Sequence, residues 1–375
     1  MIQIVEVKSK KQLKIFAALP IKLYKGCPYY VPSMRDDDFS ILNPKKNFNL
    51  GHCDCKCFLA YKDGKPVGRI AGIINKKANE IYNHKYIRFA RLAAIDDIEV
   101  FRALINAVEE YGKSEGLSSI HGPWGFNDTD RDGMLTYGFD KRSTYSTEYS
   151  YPYYMERMVE LGFKDESKWI ERDFVIPTKP YEKIERIAEK LKKRYNLIDV
   201  TETMTINQIV KKYGDDFFKA YNQAYSVLDE YVPIEGDAQK SVLNQFATVI
   251  NTRYASILVN EDDQVVGFGL TIPSLADALI KSKGKLFPFG FIGVLKSIKK
   301  PKELEMVLIG VRDEYKNSGI NSICMSKIMN NVIKDGIKKI ESNPMLETNL
   351  SIQANWNFAE NTIIKKRQTY SKEIV

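Results

Sequence analysis

Apolar and polar positions alternate along the chain with two periods, one near 2 and one near 3.6, and these assign most of the elements. Residues 2–7 (IQIVEV) read as a short strand. The spacing then predicts a helix over 10–24, with Leu13, Phe16, Ala17 and Ile21 on one face. Two strand-like runs, 55–62 and 66–74, flank Asp63-Gly64, a dipeptide suited to a tight hairpin. Tyr86 to Ala94 is a third strand. Asp96 to Glu115 is an amphipathic helix presenting Val100, Leu104, Ala107, Val108 and Tyr111, and Gly116 is placed to stop it. Leu117 to His121 reads as a strand, 153–161 as a helix and 169–176 as a strand.

The Pro-Thr-Lys-Pro run at 177–180 interrupts this pattern, so we expect one unit over 1–178 and a second over 179–375. In the second unit, 181–195, 206–227 and 237–249 carry helical patterns. Strands are expected at 255–259 and 265–272, and a longer one at 304–311. A helix at 321–334, a strand at 338–342, another helix and a terminal strand close the chain. The two halves share one order of elements: hairpin, longer strand, helix, strand, helix, strand. The expected fold class is therefore α/β, each unit a mostly antiparallel mixed sheet flanked by helices.

Composition narrows the function. In 375 residues, 44% are hydrophobic and 28% charged, which suits globular domains and excludes a long disordered or collagen-like chain. Five cysteines are too few for a disulfide scaffold. The N-terminal residues lack the pattern of a secretory leader, and a cytoplasmic setting is expected. The most apolar window, Leu286 to Ile298, is too short to span a bilayer. It lies between KSKGK and KKPKE and reads as a buried or interfacial helix, or as a lid over a pocket. The net charge of +8 is thinly spread, so nucleic acid is not an expected partner, but it suits polyanionic nucleotide ligands.

Residues 303–331 carry the chemistry. A strand runs into a loop containing Gly319, and the loop opens a helix. A helix start offers unpaired N–H donors and the positive end of the macrodipole, both of which attract phosphate. Gly319 permits close backbone approach, and Lys316 places a cation at the loop entrance. Lys316-Asn317-Ser318-Gly319-Ile320-Asn321 resembles the acyl-CoA-binding motif of the GNAT N-acyltransferases, Q/R-x-x-G-x-G/A, with lysine at its first position and asparagine at its last. The resemblance implies tandem GNAT-like domains. It also implies that Ile309 and Val311 meet pantetheine, that residues 317–321 meet pyrophosphate, and that Asn349 starts the following helix. The corresponding loop of the first half, 92–101, has no glycine and three acids, so that half is expected to lack a cofactor site.

The implied activity is transfer of an acyl group from acetyl-CoA or another acyl-CoA to a small-molecule or peptide amine, by direct attack in a ternary complex. Such transfer needs a base for the amine proton, an acid for the leaving thiolate and donors for the oxyanion. The resemblance points to Glu305 as the catalytic carboxylate. Where the family carries a tyrosine acid, this chain has Trp356, whose indole cannot protonate a thiolate. Two alternatives stay open: an aminoacyl transferase of the Fem type using aminoacyl-tRNA, and a non-catalytic acyl-CoA-binding or scaffold protein.

Trp124 and Asp128, in a loop rich in aromatic and acidic residues, are candidates to bind a cationic amine. So are Tyr151 and Tyr153, within a run of five tyrosines. Residues 128–133 match half of a calcium loop, but the twelfth position is Phe139 and no metal is expected. Cys53, Cys55 and Cys57 alternate as strand residues do, without the spacing of a zinc site. No Ser-His-Asp set is visible.

Overall fold

A computed structural model describes residues 1–354, 356 and 359–374. The chain opens with β1 (Ile2–Glu6), α1 (Lys10–Leu23) and α2 (Arg35–Ser40). Strand β2 (Cys53–Lys62) turns into β3 (Lys65–Asn75) through Asp63 and Gly64, whose φ angles of 51° and 74° are those of a two-residue hairpin turn matched to strand twist. After α3 (Lys76–Ile81) come β4 (Tyr86–Ala94), α4 (Ile98–Ser114) and β5 (Ser119–Gly122), with β5 parallel to β4. Strand β6 (Met134–Tyr137), α5 (Tyr153–Glu160) and β7 (Lys164–Phe174) complete the first half.

The second half holds α6 (Glu182–Arg194), β8 (Ile198–Asp199), α7 (Ile206–Tyr225) and α8 (Gly236–Val249). The hairpin β9 (Ala255–Val259) and β10 (Val265–Pro273) leads to α9 (Ala276–Ser282) and α10 (Gly290–Lys299). Then follow β11 (Glu303–Val311), α11 (Asn321–Lys334), β12 (Lys339–Ser342), β13 (Met345–Leu346), α12 (Leu350–Ala354) and β14 (Asn361–Glu373). Most strands and long helices fall within one or two residues of their sequence-based bounds, because each buries one clean face. Val100, Leu104 and Val108 of α4 lie against Ile70, Ile87 and Phe89, and Phe217 and Tyr221 of α7 lie against Phe268. Among the described residues, no helix is long and apolar enough to cross a membrane.

A single sheet joins both halves, in the order β1-β2-β3-β4-β5-β14-β7-β12-β11-β10-β9-β8. The last strand, β14, lies between β5 and β7, antiparallel to both, and β7 in turn pairs with β12. Element order alone implies two separate sheets; here hydrogen bonding crosses the boundary at 178, while the main apolar clusters of the halves stay distinct. We retain 1–178 and 179–375 as the proposed units.

Charge holds this seam. Lys365, fully buried on β14, lies 2.7 Å from Glu171 and also pairs with Glu341, while Arg367 donates to Glu171 at 2.5 Å. The two cations hold the Glu171 carboxyl below its ordinary range against the effect of burial. Removing one partner of a buried pair leaves an uncompensated charge, so Lys365→Met is expected to destabilise the protein by about 3–5 kcal/mol. Urea unfolding followed by circular dichroism measures this; a loss below about 1 kcal/mol contradicts the role assigned to Lys365.

Candidate active site

Strands β11 and β12 pair only between residues 303–306 and 339–342. The Asn343 N–H still donates to the Met306 carbonyl at 2.9 Å, but β13 then pairs with β7, and β11 continues alone on that edge. A cavity of about 560 Å³ occupies the gap, a size suited to a ligand of many atoms. It reaches both faces of the sheet. Alternate residues of β10 define those faces: a Cβ at Gly269 would meet Cys324 of α11, whereas Phe268 packs on α7. Met325, Ile328 and Met329 line the cavity on the α11 side. Leu228, Val242, Phe246 and Val249 line it on the α7–α8 side, and acids of the first half close one end.

The glycine loop has the geometry of an anion cradle. Gly319 takes φ +82°, Asn317 takes φ 61°, and the Ser318 hydroxyl donates to the Tyr315 carbonyl at 2.6 Å, which tightens the turn. The first turn of α11 has no side-chain cap. Among the described residues, the N–H groups of Asn317, Gly319 and Asn321 have no acceptor, and the Asn321 side-chain oxygen is buried without a partner. Lys316 lies 2.7 Å from Asp313 at the loop entrance. By contrast, in the first half Asp97 caps the start of α4 with its own carboxylate, accepting from Glu99 N–H at 3.0 Å, and Lys62 neutralises it at 2.6 Å.

Of the residues expected near pantetheine, Ile309 lines the cavity, whereas Val311 packs on the cluster of Leu258, Val266 and Ile320. Asn349 also lines the cavity, and its side-chain oxygen accepts from the Ile352 N–H at 3.1 Å, so it starts α12. Trp356 is buried in the apolar wall, donates to the Met345 sulfur at 3.2 Å and meets Phe174 edge-on. Its N–H is committed to that contact.

Glu305 is 2% exposed on β11. One oxygen accepts from the Tyr145 N–H at 3.3 Å, and the other has no partner among the described residues. Burial pushes its carboxyl from 4.5 to about 7. Glu305 does not line the cavity itself; Tyr145, Ile272 and Met306 beside it do. The structure thus puts this carboxylate one layer behind the wall.

The acidic end is richer than the sequence suggested. Asp128, expected there, lines the cavity and accepts from the Tyr221 hydroxyl; its second oxygen is buried and unpartnered among the described residues. Trp124 also lines it, edge-on to Trp169 at 5.2 Å. Asp132 joins them from the same loop, and so does Asp37, which is distant in sequence and carries no motif. Burial raises Asp128 to about 6 and Asp132 to about 7, whereas Asp37 is exposed. Arg91 neutralises Asp130 at 2.6 Å and Asp38 at 3.3 Å, so these two are committed elsewhere. Among the described residues, no group of His, Cys, Asp or Glu side chains is placed to hold a metal ion.

Tyr151 and Tyr153 are not brought to this cavity. Tyr151 stacks on Tyr24 at 5.1 Å, and the Tyr153 hydroxyl donates to the Ala94 carbonyl at 2.8 Å. They seal the first half just where β4 leaves β5, the place where the second half is open. Tyr145 of the same run does line the cavity, and so does Tyr225 at the end of α7, half-buried with its hydroxyl at the backbone of Ile309. Burial raises its pKa, so it stays protonated near neutral pH.

One side-chain chain escaped the sequence. Ser119 Oγ lies 3.0 Å from His121 Nε2, and His121 Nδ1 lies 2.5 Å from Glu166. This has the connectivity of a hydrolytic triad, but Ser119 is 3% exposed and none of the three lines the cavity.

No protein-family model matches the chain. It is 26% identical to Protein YghO of Escherichia coli (strain K12), over 98% of this chain and 94% of that one. It is 25% identical to the bacterial ceramide synthase of Caulobacter vibrioides, over 84% of this chain and 82% of that one. Among solved structures, a tandem GNAT protein from the clavulanic acid biosynthesis pathway superposes with a TM-score of 0.58 at 10% identity, covering 100% of this chain and 99% of that one. A GCN5-related glucosamine N-acetyltransferase region of a fungal multi-domain β-N-acetylglucosaminidase superposes at 0.51 with 13% identity, covering 99% of this chain and 38% of that one. The chain has the tandem GNAT fold.

Proposed function

We propose that the protein is an acyl-CoA-dependent N-acyltransferase whose acceptor is a long-chain amine. The observation that carries this is the through-sheet cavity, which joins the side of the anion cradle to an acidic chamber by way of apolar walls. The N–H groups of 317, 319 and 321 suit a pyrophosphate, and the gap between β11 and β12 suits the pantetheine arm. Acyl-CoA supplies the activated carbonyl. The ceramide synthase likeness supports a lipid product, since a ceramide is the amide of a long-chain amino alcohol.

In this scheme Asp128 and Asp132 hold the amine as a cation. Glu305 takes its proton, through water reaching the unpartnered oxygen behind Tyr145. The free amine attacks the thioester carbonyl; an N–C bond forms and the C–S bond breaks. Tyr225, beside Ile309, gives its proton to the leaving thiolate and takes up the second proton that the new amide nitrogen sheds, so it ends protonated. The tyrosine missing at position 356 is thereby replaced from α7.

Chain length tests the reading. Ala238 lines the apolar chamber on α8, and Ala238→Trp fills it. Thiol release with palmitoyl-CoA and a long-chain amino alcohol is expected to fall at least about tenfold, more than with acetyl-CoA and a short amine, since each lost buried CH₂ costs about 0.8 kcal/mol. Equal loss with every substrate contradicts the chamber's assignment.

A further inference from the structure

The segment 278–302 has two features that the acyl-transfer chemistry does not use. Several of its apolar side chains face outward. Phe287 and Phe289 are 74% and 75% exposed, Ile292 is 54% and Leu295 is 48% exposed. Helix α10 is long enough to sort its faces. Val294 and Ile298 turn inward, onto a cluster with Leu279, while Phe291, Ile292 and Leu295, at spacings of three and four, turn outward. The Phe287 and Phe291 rings lie 5.8 Å apart and form one patch. A contiguous exposed apolar patch of this kind marks an interaction surface.

Charge identifies the partner. Residues 278–302 contain seven lysines and no acid. All seven are exposed, and among the described residues none is in an ion pair. Aromatic and aliphatic side chains ringed by unpaired lysines complement a surface that is apolar beneath and negative on top. A second copy of this chain would bring seven more lysines onto the same face and be repelled.

We propose that α10 and the loop before it dock on an anionic lipid bilayer, with Phe287, Phe289, Ile292 and Leu295 entering the interface and the lysines meeting lipid phosphates. The element adjoins the cavity. Met34, Tyr145 and Val249 pack on the cluster that receives α10, and all three also line the cavity wall. Docking therefore places the cavity next to the membrane, where a long-chain acceptor dissolves. It requires no catalysis, so its failure and the failure of the acyltransferase proposal are told apart by experiment.

The test is flotation of the full chain with vesicles of equimolar phosphatidylcholine and phosphatidylglycerol, against vesicles of phosphatidylcholine alone. Binding is expected to be at least about tenfold tighter to the mixed vesicles and to weaken as salt rises to roughly 0.5 M. Each lysine neutralised to glutamine among 296, 299, 300 and 302 is expected to cost up to about fivefold. The triple variant F287S/F289S/I292S, altered only at exposed sites, is expected to lose at least about tenfold at low salt, with an unchanged circular dichroism spectrum. Phe289→Trp adds a reporter whose emission shifts to the blue on the mixed vesicles. No flotation of the wild-type chain overturns the proposal, as does equal flotation of the triple variant. A wild-type dimer in light scattering that the triple variant dissolves also overturns it, by assigning the patch to a second copy.

Discussion

Glu305→Gln lowers kcat for amide formation by about 10²–10⁴, the contribution of a positioned general base. The glutamine keeps the shape and the acceptor for the Tyr145 N–H but takes up no proton. The wild-type rate should rise with pH through about 7, where Glu305 ionises, and the variant should lose that limb. Asp132 ionises in the same range, so Asp132→Asn is the comparison. It should weaken amine binding, raising KM, while keeping the limb. If Asp132→Asn removes the limb and Glu305→Gln keeps it, the base is Asp132.

The same substitution changes stability in a pH-dependent way. Raising a buried carboxyl from 4.5 to about 7 means the folded state holds its proton more tightly than the unfolded chain. Stability is then lost as pH rises through 4.5 and up to about 7, by an amount on the order of 3 kcal/mol. Glu305→Gln has no such loss. It is expected to melt higher than wild type at pH 8 and close to wild type at pH 4. Asp128 and Asp132 are raised by burial and lose stability with the same sign, and a bound ammonium ion would offset them.

The local parts of this site are legible in the sequence. The strand, glycine loop and helix at 303–334 are short-range, and each is signalled by neighbours in sequence. Asn349 and Ile309 followed from that frame. Trp124 and Asp128 were found because one loop gathers aromatic and acidic residues. What could not be read depends on distant pairing. The place of β14 between β5 and β7 joins segments some 200 residues apart, and nothing in its own pattern names those partners. Tyr151 and Tyr153 misled because a tyrosine lining a pocket and one sealing a core have the same composition. Their hydroxyls and rings meet Ala94 and Tyr24, far away in the chain. Asp37 and Tyr225 were invisible for the same reason. The window 286–298 reads as a buried or interfacial helix or a lid; burial is not what the fold shows, since Phe287, Phe289, Ile292 and Leu295 face out, and composition alone does not distinguish the two.

Gly319→Glu abolishes acyl-CoA binding within the range of calorimetry, a loss of more than about a hundredfold if wild-type binding is micromolar. Two effects combine. The new carboxylate stands at the turn whose N–H groups await phosphate, and repels it. A side chain at φ +82° also strains the turn. Gly319→Ala separates them: the Cβ would meet only Leu191, at 3.5 Å, so alanine adds strain without charge. It should cost about tenfold, corresponding to 1–2 kcal/mol of left-handed backbone strain. Wild-type affinity in the glutamate variant would move the phosphate site away from the start of α11.

The most direct test is to incubate the purified chain with palmitoyl-CoA and a long-chain amino alcohol, and to follow amide by mass spectrometry and free thiol by colorimetry. Amide and thiol should appear together in equal amounts, and both should vanish in Gly319→Glu. Thiol and free fatty acid without amide would contradict the account, because the protein would then be a thioesterase. Tight acyl-CoA binding with neither product would contradict it too, leaving a binding protein whose Trp356 marks the loss of transfer.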